Sequence, residues 1–285
     1  MNQQIVKIGY FFDYLKFFIG FFNVVIVPII VSILMFKNSI YFNVLDLVYL
    51  ITFGYFKIIV CFGILHRFFG HRSFSCSRTT AVVLHLIAAT SAQRGALWWG
   101  SKHVRHHKYC DNEGDPHSLI REGFWYSWLG WVFMFKEVLT DWEYVHKDFK
   151  TWEMFFMECF ASIVPWLEMS LYYYFTSIKT TFIIFWATWL TVYITLGFNV
   201  FLHHDNEISR EPQSNGYYKC RAHNKCPNWI KYSIDLIGEM DHYDHHQNPR
   251  KAKHPSYLID IPYWVFIYPG QKLGLFIIEK KTNTE

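Results

Sequence analysis

Long apolar runs alternate with two long polar segments along the chain, and the lengths of the runs carry the first prediction. Residues 17–36, FFIGFFNVVIVPIIVSILMF, pass 20 positions without a charge, enough at about 1.5 Å per helical residue to cross a hydrocarbon layer of about 30 Å. Pro28 within them predicts a kink. A second span is expected over residues 43–65, where Asp46 and Lys57 lie 11 positions apart and share a helical face. Either they mark a polar cavity or a partner inside the bundle, or Asp46 sits near an interface while Lys57 snorkels or packs against protein. Third and fourth spans are expected within residues 154–175 and 181–202, joined by the short polar stretch TSIKT, which reads as a turn between antiparallel helices. Residues 79–99, TTAVVLHLIAATSAQRGALWW, are long enough to span but hold His85, Gln93 and Arg94. They predict a helix lying at the interface or tucked under the bundle.

Charge sets the topology. Of the 27 lysines and arginines, 11 fall in residues 66–151 and 11 in residues 203–285, while the two outer turns hold only Lys37 and Lys179. Short cytoplasmic loops are the basic ones, so both polar segments belong on that side, which four spans satisfy and five do not. Residues 203–285 contain no run of 18 apolar positions. The expected fold class is an all-α integral membrane protein. Four transmembrane helices in two hairpins would carry a cytosolic helical cap made of residues 66–151 and 203–285, in a single domain over residues 1–285. Composition agrees, with 52% hydrophobic and 18% charged residues. A net charge of +4 that includes 23 acids is too mild to argue for a nucleic-acid partner. The N-terminus carries no pattern of a removable signal. Six scattered cysteines, two of them inside apolar runs, suggest a reduced environment rather than a disulfide framework.

Fifteen histidines turn this membrane protein into a candidate metalloprotein. HVRHH puts His103, His106 and His107 at i, i+3 and i+4, one helical face, and HYDHH repeats the arrangement with His242, His245 and His246. HRFFGH separates His66 and His71 by five, so both reach one centre only where the helix ends or distorts, a place that Gly70 and the exit from the second span supply. Neutral imidazole is the commonest metal ligand. Eight such ligands exceed one zinc and suit two metals of higher coordination number. At the mouth of the fourth span Asn199 and His203 share a face, making His203 a ninth ligand and Asn199 a holder of metal-bound water, with His204 turned away. The isolated His85, His146, His223 and His254 read as core or surface residues. Asp111, Glu113, Asp115, Asp205, Glu239 and Asp244 lie close enough in sequence to accept the outer N–H of ligating imidazoles, or are solvated carboxylates. Cys220, His223 and Cys226 in CRAHNKC form either a small zinc knot or a polar loop.

The order HxxxxH, HxxHH, NxxxH, HxxHH, together with LWWGSKHVRHHKYCDNEGDPHS and GEMDHYDHH, resembles the membrane fatty-acid desaturases of the acyl-CoA (stearoyl-CoA, delta-9) type over about residues 20–270. The resemblance implies two iron ions, with O2 as co-substrate. It places one iron on His66, His71, His103, His107 and His246, and the other on His106, His203, His242 and His245 with Asn199 acting through water. It implies a fatty acyl-CoA or acyl-lipid substrate in the bilayer and electrons from cytochrome b5 or ferredoxin. The membrane would be the endoplasmic reticulum in a eukaryote or the inner membrane in a bacterium. Met240, Asp241 and a separation of 39 between His203 and His242 depart from the acyl-CoA pattern, and no fused cytochrome b5 domain is seen, so carrier and donor stay open.

An alkyl C–H bond offers no acid or base handle, which leaves redox metal and O2 as the route to breaking it; zinc, without redox chemistry, does not serve. Trp98, Trp99, Trp128 and Trp131 are candidates for an acyl tunnel wall or for an interfacial belt. Arg72, Arg94, Lys102 and Arg105 either hold the phosphates of a head group or are ordinary positive-inside charge. Hydroxylation or terminal-alkene formation on the same scaffold, and a non-catalytic histidine-rich metal transporter, are the alternatives. Transporters place their ligands near the bilayer midplane, whereas these boxes fall at helix ends.

Overall fold

The computed structural model describes residues 3–203, 212–213, 216–218 and 228–278. Among these the only strands are the antiparallel two-residue pair Ser75–Cys76 and Phe276–Ile277. Four helical segments are long and apolar enough to cross a membrane: Lys7–Lys37, Val44–Gly70, Trp152–Phe175 and Ile178–Phe201. All four expected spans are therefore present. The fourth packs along the second and against the third, and its inner face buries Ile184, Trp189 and Val192. His204, Asp205, Cys220, His223 and Cys226 lie outside the described residues.

The first span begins well before residue 17 and carries Asp13 and Lys16 into the protein, where both are buried. Lys16 pairs with Asp13 at 2.9 Å and with Glu158 of the third span at 2.8 Å. Mutual neutralisation is what allows these charges inside, and an apolar-run criterion cannot see it. The kink expected at Pro28 takes the form of a π-helical turn, Phe22–Ile26, directly before the proline-led helix Val27–Lys37. Proline lacks an N–H and crowds the carbonyl four residues back, so a widened turn accommodates it.

Both readings of the second span's charges contain part of the outcome. Asp46 forms a capping box with Asn43 at the helix start and pairs with Lys179 at 2.5 Å. Lys57 is buried inside the bundle against Glu168 (2.6 Å) and the Thr90 carbonyl (3.0 Å).

Residues 79–99 are not one helix. Helix Arg78–Ala89, capped by Ser77, is 12 residues long, too short to cross. The chain then turns through Ala92 and Arg94, both at positive φ, and starts a new helix, Ala96–Tyr109. The turn happens because Glu158 sits beneath it, accepting the Leu97 N–H at 2.8 Å. A buried carboxylate there satisfies an orphan donor of the new helix and complements its dipole. Gly95 makes room: a Cβ at that position would stand 1.9 Å from the Glu158 carboxylate. Gly100 similarly lets the helix approach the second span, since its Cβ would meet the Phe69 carbonyl at 2.8 Å.

Cys61, Cys76 and Cys159 are free, but Cys110 is disulfide-bonded, which the expected reduced environment does not foresee. Spacing along the chain does not reveal which segments the fold brings together.

Candidate metal centre

The five-residue separation of His66 and His71 is resolved by a π-helix over Val60–Gly70, the end of the second span. Its i→i+5 pattern continues into the bond from the His71 N–H to the His66 carbonyl, 3.1 Å, which stacks the two residues on one face. The distortion thus runs through the last turns of the span and is not confined to its exit. His103, His106 and His107 lie on helix Ala96–Tyr109, and His203 directly follows the fourth span. His242, His245 and His246 lie on the short helix His242–Gln247, whose N-cap is Asp241, one of the residues that depart from the acyl-CoA pattern; its side chain accepts the Asp244 N–H at 2.9 Å.

All nine rings converge in two adjoining sets. His66, His71, His103, His107 and His245 form one, with ligand atoms within 4.8 Å of one another. Within it, Nε2 atoms are 2.8 Å apart for His71 and His103, and 3.1 Å apart for His66 and His245 and for His107 and His245. The second joins His106 to His203 (3.1 Å), His203 to His242 (3.0 Å) and His242 to His246 (3.1 Å). His245 and His246 therefore exchange places relative to the split implied by the resemblance: in this short helix they stand about 100° apart, His245 turning to His66 and His246 stacking over His107 at 4.0 Å between centroids. Asn199 lines the same cavity as His106, His203 and His242. Cys110 lies 3.9 Å from His203, but its bridged sulfur is not a thiolate ligand.

The donor set fits metal. Adjacent ligands at about 2.1 Å from a metal and at right angles to each other lie about 3.0 Å apart, the spacing seen between these Nε2 atoms. Six of the rings are also held toward the neutral form that metal requires. Burial first, then the charges of neighbouring imidazoles, puts His71, His103, His107 and His246 well below the ordinary histidine range; burial does the same for His245. His242 falls to about 3 through burial, despite Glu239. His106 is the exception: burial is the largest single influence and pulls it down, but the charge of Asp115, its hydrogen bond and the charge of Asp111 together raise it.

A pH dependence of the metal-free protein follows. For the depressed histidines the unfolded chain takes up protons below about pH 6.5 while the folded chain does not. Their contribution to stability is thus intact above that pH and shrinks as pH falls toward the folded values, by up to about 1.4 kcal/mol per pH unit for each ring. His106 acts with the opposite sign and offsets one of them. Chelator-treated protein is expected to unfold at a temperature several degrees lower at pH 5.5 than at pH 7.5; equal midpoints would mean the rings are solvated.

Carboxylates orient several rings from outside. Asp115 accepts from His106 Nδ1 with both oxygens (3.0 and 2.9 Å), Asp111 from His203 Nδ1 (3.3 Å), and Glu239 from His242 Nδ1 (3.3 Å) while lying 3.2 Å from His66 Nδ1. Asp244 instead pairs with Lys251, and Glu113 is exposed. Two histidines passed over in the sequence belong here. His254 is buried on Glu239, its ring 4.9 Å from His245, and His117 packs 4.4 Å from His106 and lines the cavity. No helical spacing ties either to a box, although the DPHS context places His117 two residues after Asp115. His85 is an ordinary core histidine against Glu158, and His146 lies near the cap surface beside Asp148.

Trp99 stacks on His103, centroids 5.0 Å apart, and donates to Gln93 Oε1 at 3.0 Å; Gln93 in turn donates to Thr195 at 2.9 Å. Gln93 and Thr195, polar residues within apolar stretches, were the available signal for this relay. Trp98 and Trp99 line an apolar cavity with Phe17, Gly20, Val24 and Leu196. Trp131 stacks on Trp98, and Trp128 donates to the Tyr193 carbonyl. The head-group role does not suit Lys102 or Arg94. Lys102 is buried between Glu137 and Asp141, both at 3.0 Å, and Arg94 is buried on the carbonyls of Asp13 and Val138. Arg105 is likewise committed to Glu137 and Asp141. Arg72, paired with Asp148, lines an open cleft on the cap with Arg250 and Lys251.

Comparison with known proteins agrees with this architecture. Residues 44–264 match the family model described as fatty acid desaturase. The chain is 24% identical over 208 residues to the sn-1 stearoyl-lipid 9-desaturase of Synechocystis sp., covering 73% of this chain and 61% of that protein. It is 39% identical over 79 residues to the hex-5-enoyl-(acyl-carrier protein) acetylenase of Moorena producens, covering 24% of this chain and 25% of that one. Over 71 residues it is 39% identical to the acyl-CoA Delta(11) desaturase of Choristoneura rosaceana, covering 25% and 21%. The matched stretches thus span about a quarter or less of the length of the last two relatives. With the family model spanning most of the chain and both histidine sets assembled on it, this chain belongs to the fatty acid desaturase family.

Proposed function

We propose that the protein is a di-iron, O2-dependent fatty acyl desaturase that removes two hydrogens from a saturated acyl chain and leaves a cis double bond. The observation that carries this reading is the double role of Trp99, which packs on His103 and also walls the apolar cavity, so that a chain lying in the cavity runs up to the histidines. Bound by the nine histidines, with Asn199 acting through water, two irons supply the redox chemistry with O2 that an unactivated C–H bond requires. The chain's own residues do the positioning. Trp98, Val24 and Leu196 confine the alkyl chain, and the Trp99–Gln93–Thr195 relay fixes the wall beside the histidines. Position along a uniform chain then selects the carbons that react.

The basic residues of residues 66–151 and 203–285 support a cytoplasmic cap, where cytochrome b5 or a ferredoxin would deliver electrons. The relatives' names include a coenzyme A, an acyl-carrier-protein and a lipid carrier; Arg72, with Arg250 and Lys251 in the same cleft, suits a carrier that bears phosphate, such as coenzyme A.

Expression in a desaturase-deficient host tests the reading. New acyl chains two hydrogens lighter than their precursors are the expected product; a gain of oxygen would move the assignment to hydroxylation. Unchanged chains from metal-loaded protein supplied with donor and O2 would refute it. Val24→Phe, which fills part of the cavity, is expected to shift the product ratio toward shorter chains by roughly tenfold, on the scale of one or two methylenes in an apolar pocket. An unchanged chain-length profile would remove the cavity as the acyl site.

A further inference from the structure

We infer that the two histidine sets hold metal with unequal affinity, the set of His106, His203, His242 and His246 binding first and more tightly than the set of His66, His71, His103, His107 and His245. This rests on the reading that both sets bind metal. The difference lies behind the rings. In the four-membered set three imidazoles have a carboxylate on Nδ1: Asp115 on His106, Asp111 on His203 and Glu239 on His242. Among the described residues, Glu239 is the only carboxylate within 4.0 Å of a ring of the five-membered set, 3.2 Å from His66 Nδ1, while His71, His103, His107 and His245 have none at that distance, His245 having Glu239 within 4.8 Å. His245 Nδ1 is buried without a hydrogen-bond partner.

Glu239 stands between the sets, touching His66, His242 and His254 at 3.2–3.3 Å, so it favours neither. Asp111 and Asp115 are the asymmetry. A carboxylate on the outer N–H fixes tautomer and ring orientation, raises the basicity of the metal-facing nitrogen, and is worth about 10–100-fold in metal affinity. Two of them outweigh the single additional neutral imidazole of the other set, whose His245 has no such support. Asp115 is itself fixed by the N–H groups of Asp111 (2.7 Å) and His117 (3.0 Å), so its orientation precedes metal binding.

The test is a titration of the metal-free full chain in detergent with Co2+ alone, in competition with a chelator, following the visible absorption of the bound ion. Two steps separated by at least about tenfold are expected. His103→Ala should retain the tight step and lose the weak one, and His203→Ala the reverse. Asp115→Asn should weaken the tight step by about 10–100-fold and leave the other in place. The inference is overturned by a single unresolved step for two ions, or by His103→Ala removing the tight step. Should Asp115→Asn fail to fold, the unsubstituted chain and the two histidine variants still decide. No binding of Co2+ at all would remove the metal reading beneath the inference along with it.

Discussion

His107→Ala is expected to abolish product formation, by at least about a thousandfold, while the cap stays folded and bound metal falls by about half. His107 occupies the junction of the two sets: its Nε2 is 3.1 Å from that of His245, its ring is 4.4 Å from His71, and it stacks on His246 at 4.0 Å. Alanine deletes a ligand of the five-membered set and the ring surface that positions a ligand of the other. If both sets bind metal and act on one substrate, as proposed, neither metal compensates for the other, so losing one stops the reaction instead of halving it. His146→Ala is the matched control. That ring lies beside Asp148 near the cap surface and lines the cleft of Arg72 instead of either histidine set, and its loss should leave the bound metal unchanged. Iron content by elemental analysis and lipid profiles from the same preparations read both variants. Full activity in His107→Ala would remove the ring from the ligand set.

Much of this site was legible in the sequence because metal ligation imposes short periodicities. The i, i+3, i+4 pattern of His103, His106 and His107 survives into the helix that carries them, and the awkward spacing of His66 and His71 pointed to a distorted helix at the right place. What periodicity cannot supply is direction at the end of a short helix, hence the exchange of His245 and His246. It is equally silent about residues delivered by loops: His254 reaches Glu239 without any helix linking it to a box. The fold shows the same division. Apolar runs gave the four spans, but not the inward turn at Gln93 and Arg94, which exists because Glu158, Lys16 and Asp13 from two other helices neutralise one another beneath it. Lys102 and Arg94 went astray for that reason too, since a lone cation in sequence reads as surface charge until its buried acids are known.

Arg67→Met is expected to destabilise the folded protein by about 3–5 kcal/mol, the usual loss when one member of a buried ion pair is removed. Arg67 is fully buried next to His66 and holds the opposite end of the chain against it. One Nη donates to Asp260 at 2.8 Å and to the Ala252 carbonyl at 3.0 Å, and the other to the Ile237 carbonyl at 3.0 Å. Ile237 lies just before Gly238, which turns at φ +74 with no room for a Cβ, 2.5 Å from the guanidinium; Glu239 and His242 follow. The guanidinium therefore sets where the last histidine box begins relative to the first. Asp260, left behind in Arg67→Met, keeps the His254 and Tyr263 N–H groups but loses its countercharge. Adding Asp260→Leu removes that stranded charge and should recover part of the stability, because replacing a whole buried pair by apolar side chains is often tolerated. Metal affinity should not recover with it, since neither apolar side chain restores the bonds to the carbonyls of Ile237 and Ala252 that place the box. Thermal unfolding and Co2+ titration of the two variants separate these effects, and an Arg67→Met protein as stable as the parent would show that the pair does not hold the cap together.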